Sequence, residues 1–424
     1  MLERLYEGSA NISLFGKSYE AYVIFRPNSG DIIVRIPHTR EIDGWRLFEK
    51  VRSEGFFGKK CNLENLELLT PLGKIRKDSL SLYPVLVSPG PFSVFDSFVL
   101  KIAYSSHAGI ATFVFRPVES FLVFDGQFDI DSESSVYDSS YYELLFSGFR
   151  SQFLSVPGVK VDLEEGLLYL QAGKENKSSS LEKDFPDFRG DFILIRSNLD
   201  LFELRDDLYE VLSLLNGSKV SLTLGYKNEK SEFKIAFNLS TGNRAGFDSI
   251  GNPFKAKDFN EYLVETFIKD YSSYVRQAKK EDKRRIKLFV EYFIEGISMD
   301  AILESKLITL YTALEIMDDA DTLTKDSLEK AYGLEENKAE FFARLRNEIV
   351  HNGLSVREAV EKIPNDVRSK SKGRRNLDIS FLGERKDWAC YQFLVCVLYK
   401  KLLHLIGADD LIEKLEFDSC VVAS

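Results

Sequence analysis

Through the first 250 residues, apolar side chains fall on alternate positions in short runs, and Gly, Pro and Asn punctuate the gaps. Alternation of this kind marks half-buried strands. AYVIF (21–25) and DIIVRI (31–36) flank Pro-Asn-Ser-Gly, which predicts a hairpin. FVLKIAY (98–104) and ATFVF (111–115) flank a second short loop, and FLVF (121–124) follows almost at once. VSLTLGY (220–226) and FKIAFNL (233–239) alternate around Lys-Asn-Glu-Lys and predict a third hairpin. Helical interruptions are expected near 139–154 and 199–215. Short strands with such punctuation predict a sandwich or a curled sheet.

Beyond residue 256 the period lengthens to about three and a half residues, the spacing of an amphipathic helix. Phe259–Arg276, Lys283–Gly296, Met299–Asp318, Glu336–His351 and Glu384–Ile406 all carry it. In the last segment Trp388, Tyr391, Val395, Leu398, Leu402 and Leu405 recur at steps of three and four. Its remaining positions are also largely apolar, so it is expected at the centre of a bundle. The Ser/Gly/Asn-rich stretch 240–253 is the natural boundary. The fold class that follows is α+β: a β-rich region over 1–250, then an all-α bundle over 256–424.

Composition sharpens this picture in a few places. The chain of 424 residues contains 33 Phe and 19 Tyr, concentrated before residue 250, and aromatics favour strands. A net charge of -10 argues against a nonspecific nucleic-acid coat protein. Local basic stretches exist at 276–287 (RQAKKEDKRRIK) and 368–375 (RSKSKGRR). There is no apolar run of about 18 residues, so no membrane helix is expected. MLERLYEGSA at the start carries charges where a signal peptide needs an apolar core, so a cytoplasmic location is expected. The four Cys (61, 390, 396 and 420) lack metal-ligand spacing, and no Gly-rich phosphate loop ends in Gly-Lys-Ser/Thr. Neither a metal nor a cofactor is expected.

One segment carries chemistry. Arg346-Asn347-Glu-Ile-Val-His351 lies in the helix 336–351 and is followed by Asn352-Gly353. Asn347 and His351 are four residues apart and share a helix face, with Arg346 about 100° round from Asn347. Leu345 and Ile349 turn toward the core. Asn352-Gly353 is a plausible C-terminal cap, which puts His351 in the last turn, where the helix dipole favours an imidazolium. Glu315, late in the helix 299–318, either faces Arg346 across the bundle or is a solvated carboxylate.

The Arg-Asn-x-x-x-His motif late in a helical bundle resembles the signature of HEPN ribonucleases. The Leu-rich helix ending Tyr-Thr-Ala-Leu-Glu-Ile (311–316) looks like the earlier HEPN helix with its acidic residue. The β-rich region ahead of it is similar to the arrangement in Apea-like HEPN proteins. The resemblance implies a metal-independent endoribonuclease acting as a homodimer whose paired motifs line one cleft. His351 would move protons, Arg346 would hold the scissile phosphate, and Asn347 would orient the histidine or the substrate. Arg368, Lys370, Lys372, Arg374 and Arg375 are candidates for contact with RNA. The N-terminal region would respond to a trigger, a phage protein or small ligand, in a phage-defence or toxin setting. HEPN bundles also serve as non-catalytic dimerisation or interaction modules, which is the alternative reading. A small-ligand sensor centred on the aromatic N-terminal half is a third.

Overall fold

A computed structural model describes residues 6–27, 30–37, 46–47, 50, 60–70, 73–84, 86–87, 99–100, 102–105, 110–119, 121–128, 141–149, 156, 158–173, 192–229, 232–238, 260–298, 301–318, 323–365 and 377–415. Both halves of the α+β architecture are present. Strands β1 (Tyr6–Leu14), β2 (Lys17–Arg26), β3 (Asp31–Pro37), β4 (Cys61–Thr70) and β5 (Gly73–Pro84) open the chain. They are followed by β6 (Leu86–Val87), β7 (Val99–Leu100), β8 (Ile102–Ser105), β9 (Ile110–Pro117) and β10 (Phe121–Phe128). β11 (Tyr141–Ser147), β12 (Val159–Leu163), β13 (Gly166–Gly173) and β14 (Phe192–Ser197) precede helix α1 (Leu201–Asn216). β15 (Ser221–Glu229) and β16 (Glu232–Asn238) complete the sheet.

Every pairing among the described strands is antiparallel, and the large sheet curls until part of it closes. The far edge of β5 is shared: Ile75 pairs with Gly126 of β10, while Leu82 pairs with Pro117 of β9. Together with β5–β4, β4–β1, β1–β2, β2–β3 and β3–β9, the second contact completes a ring of six strands. Ile12, Val23, Phe25, Ile32, Val34 and Leu63 are each 0% exposed in the core this ring contributes to. Closure removes free edges that would otherwise pair with other chains. Asn65 on β4 sits at φ 53° where the register with β1 shifts by one residue, Ser9 pairing with Glu67 but Asn11 with Glu64, a bulge that bends the strand. Across from it, a Cβ at Gly8 would lie 1.8 Å from the carbonyl oxygen of Glu67, so only glycine permits this approach of β1 to β4.

From β10 the sheet continues through β16, β15, β11, β14, β13 and β12. Strands β11 and β14 are buried on both faces. Leu145 and Leu194 join the barrel core, whereas Leu144, Phe146, Ile193 and Ile195 join the core shared with the helices. The segment 139–154, expected as helix, is therefore the strand β11 over 141–147. A strand buried on both faces has no polar side, so YYELLFS carries no two-residue alternation and imitates a buried helix.

Helix α1 matches the expected 199–215. Asp200 caps it, accepting from the backbone N–H of Phe202 and Glu203, and Gly217 at φ 66° ends it. Helices α2 (Glu261–Gln277), α3 (Lys280–Ser298), α4 (Leu303–Asp318), α5 (Lys325–Tyr332) and α6 (Glu336–Asn352) follow. α7 (Val356–Lys362), α8 (Lys386–Leu405) and α9 (Asp409–Lys414) end the described chain. α8 packs against α4, α7 and α9, with Leu394, Val395, Leu398, Leu402 and Leu403 all 0% exposed, as its nearly continuous apolar surface requires.

Between α1 and the bundle lies a polar clamp. Lys287 on α3 meets Asp207 at 2.5 Å and Glu210 at 3.4 Å, and Tyr271 on α2 donates to Glu210 at 2.5 Å. Burial pushes the Glu210 carboxyl above its ordinary range, with Lys287 pulling the other way. Tyr399 on α8 donates to the Leu214 carbonyl at 2.6 Å. No described helix is long and apolar enough to cross a membrane. The stretch 240–253, read as the boundary, lies outside the described residues.

Candidate active site on helices α4 and α6

Helix α6 buries Phe342 and Leu345 (both 0% exposed) and Ile349 (5%), and leaves Asn347 and His351 on its outer face. Gly353 at φ 64° caps the helix and donates to the Glu348 carbonyl, so His351 does fall in the last turn. Arg346 lies between these faces. Its position is nearly buried, at 8% exposure, and its guanidinium runs along the seam with α4.

Two cross-links set that seam. Tyr311 on α4 donates its hydroxyl to the Phe342 carbonyl at 3.0 Å. One turn further along both helices, Arg346 meets Glu315: Nε lies 3.1 Å and Nη2 2.8 Å from the same Oε1. The steps 311 to 315 and 342 to 346 are equal, so α4 and α6 run side by side in register through this contact. The Glu315 oxygen also accepts from the backbone N–H of Leu323 at 3.4 Å. Of the two readings of Glu315, the geometry shows the one in which it faces Arg346.

The other end of the guanidinium points at the motif. Nη1 donates to Asn347 Oδ1 at 3.3 Å and lies 3.0 Å from His351 Nε2. A guanidinium can only donate, so Nε2 accepts here and the ring proton sits on Nδ1. Four of the five arginine N–H bonds are engaged in these contacts. Arg346, Asn347, His351 and Glu315 thus form one cluster built from two helices.

The rest of the neighbourhood is structural. Glu348 is half-buried and accepts from Lys362 at 2.7 Å and Asn352 at 2.8 Å, which braces α7. Exposed apolar side chains flank the cluster, with Ile308 on α4 39% exposed and Val350 on α6 41% exposed. Tyr311 was not singled out in the sequence, although Tyr311-x-x-x-Glu315 at helical spacing places both on one face. Arg368, Lys370, Lys372, Arg374 and Arg375 lie outside the described residues, as do His38 and His107. His404, on α8, pairs with Asp409 at 2.8 Å and belongs to a different surface.

No family model matches the chain, and no curated protein matches it. Among solved structures, the chain is similar to a bacterial glucoamylase complexed with acarbose at 10% identity and a TM-score of 0.12, covering 95% of this chain and 49% of that one. The chain therefore spans about half the length of that enzyme. A likeness this weak says nothing of fold or activity.

Proposed function

We propose that the chain is a HEPN-type endoribonuclease that cuts RNA without a metal ion, with Arg346 and His351 carrying the reaction. The supporting observation is the contact of Arg346 Nη1 with His351 Nε2 at 3.0 Å, while Glu315 fixes the opposite edge of the guanidinium. An acceptor nitrogen on an exposed face, beside an arginine, has the parts needed for attack within an RNA strand.

In this mechanism His351 Nε2 takes the proton of a ribose 2′-hydroxyl. The freed oxygen attacks the adjacent phosphorus, the P–O5′ bond breaks, and the 5′-oxygen leaves with a proton returned by the imidazolium that has just formed or supplied by water. The products are a 2′,3′-cyclic phosphate and a 5′-hydroxyl. Arg346 exchanges its bonds to Asn347 and His351 for the non-bridging phosphate oxygens, where negative charge builds. Asn347 then orients the histidine or the substrate, and Glu315 is the positioning residue for the arginine. DNA lacks the attacking hydroxyl and is spared.

The active unit in this reading is a cytoplasmic homodimer whose two motifs face one cleft. The exposed Ile308 and Val350 beside the cluster suit burial against a second copy. The β-rich region receives a trigger in a defence or toxin setting, and the basic stretch 368–375 meets RNA.

The near-burial of Arg346 favours a second reading, in which the cluster only braces a non-catalytic interaction module. End-group analysis separates the two. Cleaved RNA ending in 2′,3′-cyclic phosphate, with no cut at a 2′-deoxy position, supports the enzyme; products with 3′-hydroxyl ends contradict it.

A further inference from the structure

An open cavity of about 670 Å³ lies among α5, the turn into α6, α8 and α9. That volume is in the range that holds small organic ligands. It touches the beginning of α6 at Glu335 and Lys338, whereas Arg346 lies about 12 Å and His351 about 20 Å further along the helix axis. The cavity is thus separate from the motif.

Its wall is mixed: Tyr332, Phe393, Val397 and Ile412 contribute an apolar part, and four lysines (330, 338, 400 and 401) stand around it. Three carboxylates also border it, but two are already engaged: Glu335 with Lys338 at 3.4 Å and Asp409 with His404 at 2.8 Å. Lys401 is held by the Ala331 carbonyl at 3.0 Å, with its ammonium 5.5 Å from the centre of the Tyr332 ring. Lys330 and Lys400 are exposed, and neither has an ion-pair partner among the described residues. In a chain with 66 acidic residues and a net charge of -10, such convergence of cations on one cavity runs against the background. The start of α6 adds to it. Glu335, the cap residue, makes no side-chain bond to the first turn, so backbone N–H groups remain at a helix end that attracts anions.

We propose that this cavity binds a nucleoside polyphosphate, with the phosphates between Lys330 and Lys400 and the base against the Tyr332–Val397 wall. A bare phosphate chain would leave the apolar wall unused, and a neutral ring would leave the lysines unmatched. The site stands independently of the ribonuclease reading.

The test is calorimetry and thermal unfolding of the full chain with ATP, GTP, tripolyphosphate and adenosine. A nucleoside triphosphate at a hundredfold excess over its Kd raises Tm by about 3 °C, tripolyphosphate binds more weakly, and adenosine does not bind. Lys330→Glu combined with Lys400→Glu weakens nucleotide binding by about tenfold or more. Arg346→Ala leaves it unchanged. Should the double reversal unfold the chain, Lys400→Gln alone is expected to weaken binding and provides the same test. Absence of nucleotide binding, or binding undiminished by the lysine changes, overturns the proposal. Loss of binding in Arg346→Ala alone would move the nucleotide to the motif and equally overturn it. Tripolyphosphate binding as tightly as ATP would remove the base from the site.

Discussion

Removing Glu315 tests whether the four-residue cluster is one energetic unit. Two N–H groups of Arg346 converge on a single carboxylate oxygen at 3.1 and 2.8 Å, with the two side chains only 10% and 19% exposed. Water screens such a pair far less than a surface pair, and each charge-assisted bond contributes about 1.5–3 kcal/mol. Glu315→Ala leaves the guanidinium in its seam with only neutral partners, at a cost of about 3 kcal/mol. Glu315→Gln keeps an acceptor and costs about 1 kcal/mol. In a double-mutant cycle, Arg346→Ala should cost much less once Glu315 is already alanine, giving a coupling of about 1.5–3 kcal/mol. Urea unfolding of the four proteins at one pH and salt concentration measures this, with the slope of each transition checking that the unfolded state is unchanged. A coupling below about 0.5 kcal/mol would show that the bridge is only geometric and would refute the reasoning.

Three further outcomes follow from the packing and charge. Tyr399→Phe removes a buried bond to the Leu214 carbonyl and should cost about 1–2 kcal/mol, read from the urea midpoint; no change would mean α8 and α1 do not depend on it. Phe342→Ala empties a ring that stacks on Phe393 at 4.5 Å, and should cost about 3–5 kcal/mol in the same assay. Glu143 is 1% exposed, and burial raises its carboxyl above the ordinary range although Arg196 opposes this. The folded state therefore holds that proton more tightly than the unfolded chain does. The stability it contributes is complete below the ordinary glutamate range and is lost as pH rises through the raised value. Glu143→Gln should thus gain on wild type as pH rises from acid toward neutral, and a difference independent of pH would contradict this.

The sequence revealed those elements whose burial is one-sided. β3 alternates because one face meets the barrel core, β2, β15 and β16 do so over part of their length, and α6 shows its core through Phe342, Leu345 and Ile349. β11 was misread because both of its faces are covered. The closing of six strands was hidden because it depends on the divided edge of β5, where Ile75 and Leu82 meet different partners. In the site, helical spacing placed Asn347 and His351 on one face. It could not show that Arg346 turns inward to Glu315, 31 residues away on another helix. The clamp of Lys287 with Asp207 and Glu210 was out of reach for the same reason: Lys287 lies 77 or more residues from either carboxylate.

Cleavage of total RNA in the presence of EDTA by wild type, His351→Ala and Arg346→Ala tests the central proposal most directly. The account predicts cutting by wild type and none by either variant, each variant still folded and of the same oligomeric state. Equal cutting by all three proteins, or by none of them even when a cell-toxicity assay is run alongside, would contradict it.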